Sequence, residues 1–200
     1  MAGVDAAAPS DRLSYALTDK DVHKLIPGLP LTLYSDLPNK TLGSLLDNRG
    51  RGLVLFVQDK DNSSVIGHWL AVATQPNGLL VFDPYGGKED PWYLDRKFIS
   101  NRDQKALHET SPHLSTLIKN AGIRPIYSTE RYQEMKKGIE TCGRHCVVRL
   151  WHKDKDVQRY SRYMSNARYL SGGASNDDIV THWTDEVLVH GSSPPQEQPG

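Results

Sequence analysis

Apolar residues change their period twice along this chain. Behind Thr18, a good capping residue, Val22, Leu25 and Ile26 recur at helical spacing, and Pro27-Gly28 stops the turn. A second helix is predicted over 41–47, ending at Asn48-Arg49-Gly50. Continuous apolar runs then replace the helical pattern. Residues 53–57 and 65–73 read as buried strands, and the turn Gln75-Pro76-Asn77-Gly78 leads into a third at 79–82. Residues 83–98, rich in Pro, Gly and aromatics, predict a loop. Two helical stretches follow, split at Pro112, with Ser111 capping 113–120, and then a strand over 123–127. Thr141 precedes a strongly patterned helix from Cys142 to about 152, with Cys146, Val147, Leu150 and Trp151 on its inner face. A Tyr-rich helix over about 156–164 and another capped by Asn176 complete the pattern. The order helix, strands, helix predicts a single α+β domain over 13–190, a central, mostly antiparallel sheet flanked by helices. Residues 1–12 read as a loose segment, and 191–200, GSSPPQEQPG, as a tail disordered by composition.

Composition narrows the class. Lys plus Arg number 24 and Asp plus Glu 24, so the net charge is zero and no overall field draws nucleic acid or an anionic membrane. The apolar runs are far short of the roughly 20 residues a membrane span needs. The start, MAGVDAAAPSDR, lacks the basic and apolar regions of a signal peptide. Only Cys142 and Cys146 are present, and one helical turn apart they suit a disulfide poorly. The expectation is an intracellular protein with reduced thiols, not secreted and with no membrane partner.

Chemistry concentrates on a few of these residues. Cys142 opens a helix, where unpaired N–H groups and the helix dipole favour a thiolate, and Gly143 leaves room for a substrate backbone. The competing reading is a small core residue at a helix start. Cys146, one turn later, fits the core reading better. A nucleophilic Cys needs a base and an orienter. Of eight His, His68 alone lies in a strand-like run, on the face shared by Leu70 and Val72. A buried polar group there needs a partner. With the 75–78 turn closed, β pairs sum to roughly 153 in residue number, so Asp83 falls opposite position 70 and within diagonal reach of His68. A carboxylate there would fix the imidazole tautomer; the alternatives are a satisfied core His and an Asp-Pro turn.

Three pieces, Gly67-His68-Trp69, Val81-Phe82-Asp83-Pro84-Tyr85-Gly86 and Thr141-Cys142-Gly143-Arg144-His145, together resemble the adenovirus-type maturation proteases. Those proteins join the ubiquitin-like-protein (SUMO) proteases in a papain-like superfamily with a permuted order of catalytic residues. The last two pieces look most like the branch found in large DNA viruses, virophages and Polinton-type elements. The resemblance spans about half the chain. It implies Cys142 as nucleophile at a helix N-terminus, His68 as general base, Asp83 as orienter and Trp69 as the wall of a narrow substrate channel. Gln133, in Tyr132-Gln133-Glu134, is the implied oxyanion donor, although its nine-residue distance from Cys142 is longer than the family pattern. The implied function is a cysteine endopeptidase that needs no metal or organic cofactor. It would process viral capsid or core precursors after small, Gly-like residues, in host cytoplasm or virion.

Three alternatives accompany this reading. One is a protease that deconjugates ubiquitin-like modifiers, and another an inactive, protease-shaped interaction protein. The third is a zinc module built on Cys142, His145 and Cys146, which lacks a second pair of ligands. The basic, Tyr-rich stretch 153–169 reads as a solvated helix face, with an activating peptide or nucleic acid as the alternative partner.

Overall fold

A computed structural model of the protein describes residues 12–60, 65–88, 90 and 111–195. The first helix, α1 (Asp19–Leu25), starts where expected because Thr18 and Asp21 form a reciprocal capping box, with Thr18 Oγ1 accepting from the Asp21 N–H at 3.2 Å. Strands β1 (Leu31–Leu33), β2 (Arg51–Lys60), β3 (Val65–Gln75), β4 (Gly78–Phe82) and β5 (Pro125–Tyr127) form one sheet in that spatial order. The helices α2 (His113–Asn120), α3 (Cys142–Trp151), α4 (Val157–Leu170) and α5 (Asn176–His190) follow along the chain, and two 3-10 helices, Tyr34–Asn39 and Leu42–Leu45, lie between β1 and β2.

The chain is α+β, as the pattern predicts, but the sheet is mixed. β2–β3 and β3–β4 are antiparallel, whereas β1 runs parallel to β2 and β5 parallel to β4. Both parallel strands are three residues long, too short to leave a period. The central hairpin keeps the expected register, with Ala71 opposite Phe82 and Val72 opposite Val81.

Both faces of the sheet are covered, which explains why its strands read as continuous apolar runs. One face carries Leu53, Trp69, Ala71, Leu80 and Phe82 against Cys146, Val147 and Leu150 of α3, Tyr160 of α4 and Ile179 of α5. The other carries Val54, Phe56, Leu70, Val72, Leu79 and Val81 against Tyr34, Leu37, Leu114, Leu117 and Ile118. Each large apolar side chain so buried contributes about 1.5–3 kcal/mol. The helix α3 therefore lies flat on the sheet with its first residue at the end where β3 and β4 present His68 and Asp83.

Local chemistry redraws several boundaries. The helix expected over 41–47 is a single 3-10 turn, Leu42–Leu45. Asp47 ends it by accepting from the N–H groups of Arg49 and Arg51 at 2.9 and 2.8 Å, a side-chain alternative to helical bonding. The cap residue of α2 is Pro112 and not Ser111; Asp90, distant in sequence, accepts from the Leu114 and Ser115 N–H groups instead. Ser175 caps α5, one residue before the expected Asn176. The helix α4 continues past 164 to Leu170. The helical stretch expected before Pro112, most of the 83–98 loop, nearly all of the 1–12 segment and the end of the tail lie outside the described residues. Among the described residues no helix is long and apolar enough to cross a membrane.

Candidate active site

The site begins with a strand that cannot continue. β4 ends at Phe82 because Pro84 has no N–H to donate to the ladder. Asp83 is thereby left at the sheet end, wholly buried, with its carboxylate turned across the hairpin. His68 lies diagonally opposite on β3 and donates from Nε2 to Asp83 Oδ1 at 2.7 Å. The Tyr85 N–H donates to the same oxygen at 2.8 Å, and the Tyr85 ring stacks on the imidazole, centroids 4.8 Å apart and planes within 10°. The tautomer and plane of His68 are thus fixed from two sides.

Beside His68 the pairing of β2 with β3 slips between Val57 and Asp59, a bulge that bends the strand at the site. Gly67 is needed there: a Cβ would stand 2.5 Å from the Phe56 carbonyl oxygen and 2.7 Å from Leu55 Cδ1. The Gly67 carbonyl in turn lies 3.9 Å from the Cys142 sulfur. Cys142 is 5% exposed and His68 2%.

Burial alone would push the His68 pKa down. The charge and hydrogen bond of Asp83, together with a hydrogen bond to Cys142, outweigh it and raise the value to about 10. The balance favours the charged imidazole. With Nε2 committed to Asp83, Nδ1 is the nitrogen left for the thiol. His68, Asp83 and Cys142, far apart in sequence, are brought together.

The other expected site residues sit close by. Trp69, 7% exposed, packs over the start of α3, and a Cβ on Gly143 would come within 3.2 Å of its ring and 3.3 Å of Leu17 Cβ. The space at Gly143 is filled by Trp69 and Leu17. Gln133 is buried, and its backbone N–H donates to the Pro84 carbonyl at 3.0 Å, tying it to the residue after Asp83. Its Nε2 donates to the Ile139 carbonyl at 3.1 Å, so the 134–141 loop does fold back. One amide hydrogen of Gln133 is occupied by that contact.

The two cysteines divide sharply. Both are free thiols. Cys146 donates to the Trp69 carbonyl at 3.2 Å, and its burial pushes the thiol pKa well above the ordinary value. It is a core residue. His145, a ligand in the zinc alternative, is buried and donates from Nε2 to Asp177 Oδ1 at 3.0 Å. Cys142, His145 and Cys146 thus turn to three different partners.

Two further residues contact this region, Tyr85 at the imidazole and Asp177 at the segment before α3. Tyr85 directly follows the Asp-Pro pair, a position that the turn itself could have flagged. Asp177 looks like an ordinary first-turn acid of α5, yet it is buried and accepts from Glu134 N–H at 3.0 Å, from the Thr141 hydroxyl and from His145. Burial raises its pKa, but the bonds to His145 and Thr141 prevail and hold it below the usual carboxylate range. No local sequence signal marks it.

No family model matches this chain. It is similar to a protein of the Sputnik virophage, described as "Uncharacterized protein V9", with 27% identity over 170 residues that cover 83% of this chain and 92% of that protein. The similarity links most of the chain to a viral protein.

Proposed function

We propose that this protein is a cysteine endopeptidase of the permuted papain-like type, with Cys142 as nucleophile, His68 as general acid and base, and Asp83 as orienter. The observation that carries the reading is the buried 2.7 Å His68–Asp83 pair, with the charged imidazole adjoining a cysteine at the first position of a helix. That combination supplies what acyl transfer needs. The Cys142 thiolate attacks the scissile carbonyl carbon, and the C=O electron pair moves onto oxygen. First-turn N–H groups of α3, with Gln133 as a candidate second donor, stabilise that oxyanion. His68 gives its Nδ1 proton to the leaving amine as the C–N bond breaks. A water, deprotonated by His68, then cleaves the thioester and releases Cys142.

Trp69 and Tyr85 flank the site, and bulky groups on the acyl side of the cut would meet their rings, so small residues such as Gly are favoured there. The substrate proposed is a viral structural precursor, as the family resemblance implies; the similarity to a virophage protein supports the viral part of that reading. The test is cleavage of a panel of unfolded proteins carrying Gly-Gly sites. The wild-type chain is expected to cut after Gly, and Cys142→Ser to be inactive while melting at the same temperature. Equal cleavage by Cys142→Ser would overturn the reading.

A further inference from the structure

Tyr85 is held against His68 by the turn that ends β4. Its N–H donates to Asp83 Oδ1 at 2.8 Å, and the Gly86 N–H closes the turn on the Asp83 carbonyl at 2.9 Å. Gly86 takes a φ of 78°, and a Cβ there would stand 2.8 Å from the Thr129 carbonyl oxygen. The Pro84 carbonyl accepts from the N–H groups of Tyr132 and Gln133 at 2.8 and 3.0 Å. The backbone on both sides of position 85 is thus tied down, and the ring lies on the imidazole with planes 10° apart. The other two histidine–tyrosine contacts among the described residues, Tyr34–His113 and His152–Tyr163, are tilted by 48° and 52°.

A flat contact matters most where a charge has lost its water. His68 is 2% exposed, so solvent does little to stabilise its charged form. Asp83, at the end of β4, engages Nε2, Cys142 on α3 is the other titrating group that acts on the ring, and β2 opposes it with Phe56. Those polar contacts reach the edge of the imidazole and leave its face to Tyr85. A cation against the face of a phenol ring is attracted by the ring quadrupole, more strongly when both are desolvated. We propose that Tyr85 is a positioning residue whose π face, lying flat on His68, stabilises the imidazolium and so sustains the thiolate of Cys142 beside it. The same imidazolium is the proton donor to the leaving amine. The inference rests on the protease reading and adds to it a second support for the imidazolium besides Asp83.

The test changes the electrons of the ring and not its shape. Tyr85→Phe keeps the face; phenylalanines carrying one, three and five ring fluorines at position 85 drain it step by step and at five fluorines reverse its sign. Iodoacetamide reports the thiolate, since the Cys142 sulfur forms its bond to carbon as iodide leaves. At pH 7 the alkylation rate of Tyr85→Phe is expected to stay within about threefold of wild type, and to fall along the series to about tenfold slower at five fluorines. Turnover of a Gly-Gly peptide is expected to fall in the same order, and the His68 ring-proton NMR signal to titrate at progressively lower pH. Packing alone would leave all three unchanged, so a flat series overturns the proposal. If the chain with five fluorines does not fold, the steps to one and three fluorines carry the trend, and its absence there overturns the proposal equally. A graded alkylation series in a chain that cleaves no Gly-Gly peptide overturns the protease reading and leaves the role of the ring, whereas cleavage indifferent to fluorination overturns the role of Tyr85 alone.

Discussion

Among the described residues two buried histidine–aspartate pairs stand out, His68–Asp83 and His145–Asp177, and they differ in what the rest of each pair touches. In the first, Asp83 is confined to the hairpin end, bonded to its own turn at Tyr85, and the imidazole keeps a nitrogen for Cys142. In the second, the carboxylate spends its remaining capacity on Thr141 and Glu134, and the His145 Nδ1 finds no hydrogen-bond partner among the described residues. Equal chemistry thus serves two ends: one pair sits beside a cysteine thiol, and the other ties α5 to the segment leading into α3. A His–Asp pair alone is no mark of catalysis. The group at the second ring nitrogen decides.

Matched substitutions should split the pairs widely. His68→Gln keeps a hydrogen-bond donor but no titrating group, and turnover of a Gly-Gly substrate is expected to fall by roughly 10³-fold or more. His145→Gln, which also keeps a donor for Asp177, is expected to hold turnover within about tenfold and to lower the melting temperature instead. Comparable losses of turnover in both would erase the distinction.

A smaller effect is expected at the orienter. Asp83→Asn preserves the shape but lets the imidazole choose the other tautomer, so kcat should drop by about a hundredfold or more with KM little changed. Steady-state kinetics beside His68→Gln checks the order of the two.

Stability should follow the same pair. The His68 pKa is raised in the fold from an ordinary 6.5 to about 10. A raised value means the folded state binds the proton more tightly, so the stabilisation is complete below about pH 6.5 and disappears as pH climbs through about 10. Melting temperatures measured from pH 6 to 11 are expected to decline in wild type and to decline less in Asp83→Asn. Parallel curves would contradict the assigned charge state.

The mildest test concerns packing at the first turn of α3. In Gly143→Ala the new methyl would lie 3.2 Å from the Trp69 ring and 3.3 Å from Leu17. A loss of about 1 kcal/mol in denaturant unfolding is expected, since Trp69 and Leu17 must give way by a few tenths of an ångström.

How much of this was legible depended on sequence distance. The central hairpin was, because its turn sets the register locally, and that register alone placed Asp83 within reach of His68. The start of α3 was equally clear. The parallel edge strands were not, since three residues carry no period and their partners come from 22 residues downstream (β1) and 46 upstream (β5). Asp177 was invisible for the same reason. Its three contacts reach back 32 to 43 residues, and an acid in a first helical turn looks the same whether it is solvated or buried. Thr141 shows the reverse case: threonine is a good capping residue type, yet a tertiary bond to Asp177 takes its hydroxyl.

The central claim is that Cys142, paired with His68, is the reactive group of this protein. The most direct measurement is to treat the intact chain at pH 7 with a Gly-Gly vinyl sulfone and locate the adduct by peptide mass spectrometry. The predicted result is a single adduct on Cys142, formed at least about a hundredfold more slowly in His68→Gln than in wild type. An adduct on Cys146, or labelling of Cys142 at the same rate without His68, would contradict it.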